Sequence, residues 1–183
     1  MVWSAERQPG RFERNRHLNA TDMSDATTYP GSSASAEEII HLAREYQSAA
    51  PILQERARKG KPLSLAPARL CAIHAIELYL NAFLLSLGNT PEEIRSRHHD
   101  LAERAKLACE HGLRLRKKTA EHLVKLSRNR EYLVSRYGPE LASMHSEMNR
   151  LMATLEEVAK KVQGVVLGQD AAGDVVQPAS ASK

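Results

Sequence analysis

The sequence predicts an all-α chain folded as an up-and-down bundle of four to five antiparallel helices. Apolar residues recur at steps of three and four rather than alternating, which is the helical period. Aromatic residues make up only 4% of the 183, while Ala, Leu, Glu and Arg are plentiful. The periodic stretches are separated by short Gly- or Pro-bearing connections, and short connections favour antiparallel neighbours. This length suffices for one core and leaves no composition break that would suggest a second.

Residues 1–33 mix Gly, Pro, Ser, Thr, Asn and Arg without periodicity, so they bury too little apolar surface to offset the entropy of ordering them. They read as a disordered tail. Met23 opens a Met-Ser-Asp that is a plausible alternative start, so residues 1–22 are expected to carry no function. The helical domain spans 34–166, and the small, polar residues 167–183 form a second loose end.

The first helix starts at Ser35, whose hydroxyl can cap the amide three residues on while Glu38 reaches back. Ile39, Ala43, Tyr46, Ala50 and Leu53 form its buried stripe, and Pro51 predicts a kink or a break. Gly60 and Pro62 end it. The second helix covers Pro67 to Leu87 and stops at Gly88. It is apolar on nearly every side, so its neighbours must cover most of it. A third begins with Thr90 as cap, Pro91 in its first turn and Glu92 and Glu93 at the positive end of the dipole. It breaks around Arg97 to His99, resumes with Asp100 as cap and runs to His111 before Gly112.

The fourth helix covers Lys117 to Ser135 with Leu123, Leu126, Leu133 and Val134 inward, and ends before Gly138-Pro139. In the fifth, Leu141, Met144, Met148, Leu151, Leu155, Val158 and Val162 keep one apolar seam facing a neighbour. That seam closes either inside the monomer or against a second subunit.

Cys71 and Cys109 are the only cysteines, without metal-ligand spacing, and no apolar leader opens the chain. Both read as small packing residues of a reduced, cytoplasmic protein. The longest apolar run, around Ala82 to Leu87, is too short to cross a bilayer, and no membrane segment is expected. The net charge of +4 permits a nucleic-acid or acidic partner without requiring one. Arg11, Arg14 and Arg16 lie in the tail; Arg114, Arg116, Lys117 and Lys118 cluster at a loop; Arg128, Arg130 and Arg136 lie on or beside one helix. Solvated charge at helix ends is the plain reading, and one joint cationic face is the functional one.

The sharpest feature is a polar strip on the apolar second helix. Near 100° per residue, His74, Glu77 and Asn81 fall within roughly 60° of one another. Glu77 sits among Ile76, Leu78 and Leu80, so its carboxylate must be paired or reach solvent. Arg136 is the expected partner, able to meet both oxygens, with the Tyr132 or Tyr137 hydroxyl completing the network. Adjacent His98 and His99 diverge on the backbone, so no metal site is expected. His99 is expected to pack its ring while one nitrogen bonds a carbonyl or carboxylate of a neighbouring helix. Arg128, Arg130 and Arg136 with Tyr132 offer cations beside an aromatic face, a chemistry that holds phosphates and stacks a base. Phosphate loops, nucleophile elbows, paired-Cys sites and His-Glu-x-x-His zinc motifs are absent. Glu77, Asn81, His99, Arg128, Tyr132 and Arg136 are therefore candidate ligand-binding residues; no catalytic residue and no cofactor are assigned.

The run Ala75-Ile76-Glu77-Leu78-Tyr79-Leu80-Asn81-Ala82-Phe83-Leu84-Leu85, then His99-Asp100-Leu101, then Glu131-Tyr132-Leu133 leading to Arg136-Tyr137 resembles the HEPN family, the helical domains named for higher-eukaryote and prokaryote nucleotide binding. The resemblance covers about Ala34 to Val162. It implies a four- or five-helix bundle, frequent dimerisation, and roles in toxin–antitoxin, RNA-processing or nucleotide-binding systems, often beside a nucleotidyltransferase. Many ribonuclease members carry an Arg, a spacer of four to six residues and a His near the fourth helix. Here no such spacer from Arg128 or Arg130 ends on a histidine, and Arg136 meets its next one only at His145. Where the family often has a Lys four residues after the helix-two Glu, Glu77 is followed by Asn81, which supplies no charge. The expectation is a non-catalytic HEPN-like interaction domain, dimeric through the helix-five seam and the exposed side of helix two, binding a nucleotide or RNA in the polar groove. The alternative is a ribonuclease or toxin–antitoxin component whose Arg and His arrive from unexpected helices. A purely structural bundle is the third reading.

Overall fold

The computed structural model describes residues 29–168, and the expected tails fall almost wholly outside them. The described residues form seven α-helices and two short 3-10 turns, with no strand among them. The helices are α1 (Ala36–Glu55), α2 (Ala66–Ser86), α3 (Pro91–Ser96), α4 (Leu101–Glu110), α5 (Lys117–Arg128), α6 (Glu131–Tyr137) and α7 (Met148–Val166). The all-α class is thus as the sequence predicts.

Local chemistry sets most of the boundaries. Ser35 and Glu38 exchange both hydrogen bonds of a capping box at the start of α1, and Thr90 and Glu93 do the same at α3. Asp100 accepts from the amides of Ala102 and Glu103 to start α4. Gly88 and Gly112 follow α2 and α4 with φ of 88° and 100°, a region closed to most side chains. α1 runs through Pro51 without the break that its sequence allows. Its extensive packing on α2 offsets the lost backbone bond.

α2 is the hub, packed against α1, α7, α4 and α6. Residues 62–86 are long and apolar enough to cross a membrane, yet 72% of the apolar 18-residue window within them is buried inside the fold, as suits a core helix. Around it close Ile40 and Ala43 of α1, Leu101 and Ala105 of α4, Leu123 and Leu126 of α5, and Leu151, Leu155, Val158 and Val162 of α7. Each such fully buried Leu, Ile or Val contributes roughly 1.5–3 kcal/mol. In α1 the expected Ile39, Tyr46 and Leu53 are only half-buried, and Ile40 takes the inner position.

Five expectations are corrected. The α7 seam is shut within the chain, with Leu151, Leu155, Val158 and Val162 at 0–1% exposure, so it is not a free surface for a second subunit. Neither does α2 leave an exposed apolar side, since its residues from Ala72 to Leu85 are buried or half-buried. Leu141 and Met144 lie before that helix in a 3-10 turn and are exposed. The expected fourth helix is two: α5 stops at Arg128, Asn129 and Arg130 turn, and Arg130 takes a left-handed φ of 50° before α6. Leu133 and Val134 are consequently only half-buried. Cys71 is half-buried, but Cys109 is exposed rather than packed.

The reason for the split is the residue that opens α6. Glu131 is 1% exposed and satisfied on both oxygens: Oε1 accepts from the Ser146 amide at 2.9 Å, and Oε2 from the Ser146 hydroxyl at 3.0 Å. Arg69 of α2, itself buried, stands 3.4 Å from Oε2 and donates a second nitrogen to the Ser146 carbonyl. A straight continuation of α5 would turn this carboxylate elsewhere. α7 carries a comparable device, since buried Glu157 accepts from the Arg116 amide and the Thr119 hydroxyl, each at 2.6 Å, and anchors the start of α5. Burial would raise the Glu157 carboxyl, but these bonds and the Arg116 guanidinium outweigh it and hold it below its ordinary value.

His122 gives the fold a pH dependence. Its Nδ1 lies 2.8 Å from the Thr154 hydroxyl, and Nε2 is buried without a partner among the described residues. Burial above all, helped by Arg150, Lys125 and Arg69, pushes its pKa from 6.5 down to about 4. The unfolded chain therefore binds a proton below about pH 6.5 that the folded chain refuses until about pH 4. The His122 contribution is full above the upper value and falls by roughly 3 kcal/mol across the window. Urea titrations from pH 7 to 4 should show this slope, and His122→Asn should flatten it; an unchanged slope in the variant excludes His122 as its source.

Candidate functional site

A cleft of about 490 Å³ opens where the α3–α4 connection faces the end of α5 and the start of α6. Arg97, His98 and His99 line one wall, and Ser127, Arg128, Arg130 and Tyr132 the other. The two walls share a backbone peculiarity. His98 and Arg130, with φ of 48° and 50°, are the only non-glycine residues at positive φ among the described residues, and both line this cleft. Each such conformation costs of order 1–2 kcal/mol.

Beneath the cleft the polar strip of α2 meets α4. Glu77 is buried, and both of its oxygens lie 3.1 Å from His99 Nδ1. Its cationic partner is Arg104, 3.4 Å from Oε1 and 2% exposed. Arg104 Nε also donates to Asn81 Oδ1 at 2.7 Å. Its terminal nitrogens donate to the carbonyls of Ile94, Arg97, His98 and Asp100. One guanidinium thus closes the loop from α3 to α4 and neutralises the carboxylate at once. Burial lowers the Arg104 pKa, opposed chiefly by Glu77. The His99 ring lies 4.8 Å from that of Tyr132, tilted by 41°, and its side chain is 41% exposed. With Nδ1 committed to Glu77, Nε2 is the nitrogen left to a ligand.

The structure therefore brings together five of the six expected residues, with Glu77, Asn81 and His99 in one hydrogen-bonded cluster and Tyr132 and Arg128 on the adjoining walls. The carboxylate bond expected of His99 is present. Arg136 is the exception and the correction. It is exposed in the last turn of α6, does not pair with Glu77 and is not part of the cleft lining. It acts on the strip only at a distance, joining burial and His99 in lowering His74 against the pull of Glu77. Tyr137, at 77% exposure, completes no network with Glu77 either. His74 instead sets its ring edge-on to Tyr46, with centroids 4.5 Å apart.

The residue missed is Arg104, and its signal was present. Leu101, Arg104, Ala105 and Ala108 are all buried and stand at the spacing of one helix face, so an arginine within that stripe must be an internal ligand of some anion. Arg128 and Arg130 are exposed and make no ion pair among the described residues. The acids of the cleft, Asp100 and Glu103, are engaged in the α4 cap and with Arg97, respectively. Among the described residues no group of three or more His, Cys, Asp or Glu converges to hold a metal ion. Comparisons with protein-family models, with curated proteins and with solved structures find no match.

Proposed function

We propose that this chain is a non-catalytic HEPN-like helical interaction domain, cytoplasmic and dimeric, whose cleft binds the phosphate and base of a nucleotide or RNA. The observation that carries the reading is the pairing of two unengaged cations, Arg128 and Arg130, with the adjacent, mutually tilted His99 and Tyr132 rings in one hollow. Cations hold phosphates, and an aromatic face accepts a base of any identity. The three segments that carry the HEPN resemblance also supply the hub helix, the loop over Glu77 and the Tyr132 wall. An up-and-down bundle of four to five long units fits this if α3 with α4 and α5 with α6 are counted as broken single helices. A nucleotidyltransferase is the partner class that the resemblance suggests.

Fluorescence anisotropy with a labelled oligoribonucleotide at moderate salt should show saturable binding. Arg128→Ala with Arg130→Ala should weaken it ~10-fold or more and reduce the slope of log affinity on log salt by about 2. No saturable binding, or binding indifferent to both variants, removes the proposal. The dimer is checked separately by light scattering, with the exposed Tyr137, Leu141 and Met144 as one apolar surface open to a second copy; a strictly monomeric profile removes it.

A second reading rests on the Glu77–His99 contact. A carboxylate that fixes one imidazole nitrogen leaves the other as a proton donor or acceptor, and the adjoining arginines would stabilise phosphate charge. That is the ribonuclease or toxin alternative, with His and Arg delivered by unexpected helices. RNA cleavage by the wild type that His99→Gln abolishes without unfolding favours it; an inert wild type discards it.

A further inference from the structure

A second hollow, of about 530 Å³, lies between the α1–α2 connection and the start of α7, and its chemistry is that of an anion site. The connection delivers Arg58, Lys59 and Lys61 to one side, all exposed and without ion pairs among the described residues. Arg69 lines the hollow from α2 with its charge held in place by Glu131, so this cation is fixed rather than mobile. Facing them are Ser143, His145 and Ser146. Glu147 is the single acid in the lining, so three free cations face one carboxylate, with the Arg69–Glu131 pair neutral behind them.

The start of α7 and His145 complete the far wall. α7, a helix of 19 residues, begins at Met148 beside this hollow with no side-chain hydrogen bond to its first amides, although Glu147 stands at the N-cap position. His145 donates Nδ1–H to the Ala142 carbonyl at 3.0 Å, which leaves Nε2 as an acceptor, buried and without a partner among the described residues.

We propose that the hollow lined by Arg58, Lys59, Lys61 and Arg69 is a site for a small phosphate-bearing ligand, separate from the cleft at Arg128 and independent of what that cleft binds. The exposed Arg58, Lys59 and Lys61 hold the phosphate, and the Arg69–Glu131 pair forms the fixed floor behind them.

Isothermal titration of the full chain with inorganic pyrophosphate, and separately with ribose 5-phosphate, tests this at constant ionic strength. Lys59→Ala with Lys61→Ala alters only exposed side chains and should leave the fold intact by circular dichroism. One-site binding of at least one probe that weakens ~10-fold or more in that double variant, and not in Arg128→Ala, is the expected result. Tighter binding of the sugar phosphate assigns the ligand to phosphorylated metabolites; tighter binding of pyrophosphate assigns it to diphosphates. Absence of binding to either probe, binding unchanged in the lysine variant, or binding lost in Arg128→Ala instead overturns the site.

Discussion

Replacing Arg104 with methionine should destabilise the fold by about 3–5 kcal/mol, the cost of breaking a buried ion pair from one side. Methionine fills much the same volume, so the loss measures charge and hydrogen bonds rather than a cavity. Glu77 would remain buried opposite only His99, and the carbonyls of Ile94, Arg97, His98 and Asp100 would lose a shared donor. Urea denaturation followed by circular dichroism reads the change. Combining it with Glu77→Gln should recover part of the loss, because the uncompensated carboxylate is then gone. A single variant within about 1 kcal/mol of the wild type would mean that Arg104 is not holding the carboxylate, a shift no larger than ordinary surface substitutions or single neutral hydrogen bonds give.

Glu131→Ala is expected to cost a similar amount, about 3–5 kcal/mol, by stranding Arg69 in the interior and releasing the Ser146 amide and hydroxyl. It should also free the joint between α5 and α6, since Glu131 is what turns α6 away from the α5 axis. Ser146→Ala removes only one neutral donor and should cost about 1 kcal/mol, because the amide bond to Glu131 survives. Equal losses in the two variants would show that the arginine, not the serine, is idle in the network. Faster amide exchange at residues 129–137 in Glu131→Ala than in Ser146→Ala checks the joint itself.

The helix starts and stops were legible because their causes are local. Ser35 with Glu38, Thr90 with Glu93, and Asp100 each satisfy amides within three residues, so no knowledge of the fold is needed to place them. The same holds for the α7 seam from Met148 to Val162. What could not be read was pairing across the chain. Glu77 plainly needed a cation, and although the apolar stripe around Arg104 marks it as an internal arginine, only the approach of α4 to α2 shows that Glu77 is the anion it meets. The Asn129–Arg130 break was hidden because its cause, Ser146, lies 15 residues beyond Glu131. Leu141 and Met144 continue the α7 spacing by coincidence across a proline-led turn and stay exposed. Five of the six candidate residues nevertheless lie together in or beneath one cleft, because polar residues on an otherwise apolar helix, and the aromatic and basic residues facing it, are unusual enough to single out.

The left-handed backbone at His98 and Arg130 has a consequence for engineering. Glycine at either position would relieve a conformational penalty and add to thermal tolerance, by the reasoning that makes glycine the easy occupant of such turns. Yet the imidazole and the guanidinium would vanish from the two lips of the cleft together with the strain. If the cleft binds as proposed, heat resistance and ligand capture are set against each other at Arg130, and a programme that selects for durability alone would be drawn to erase one lip of the molecule's mouth.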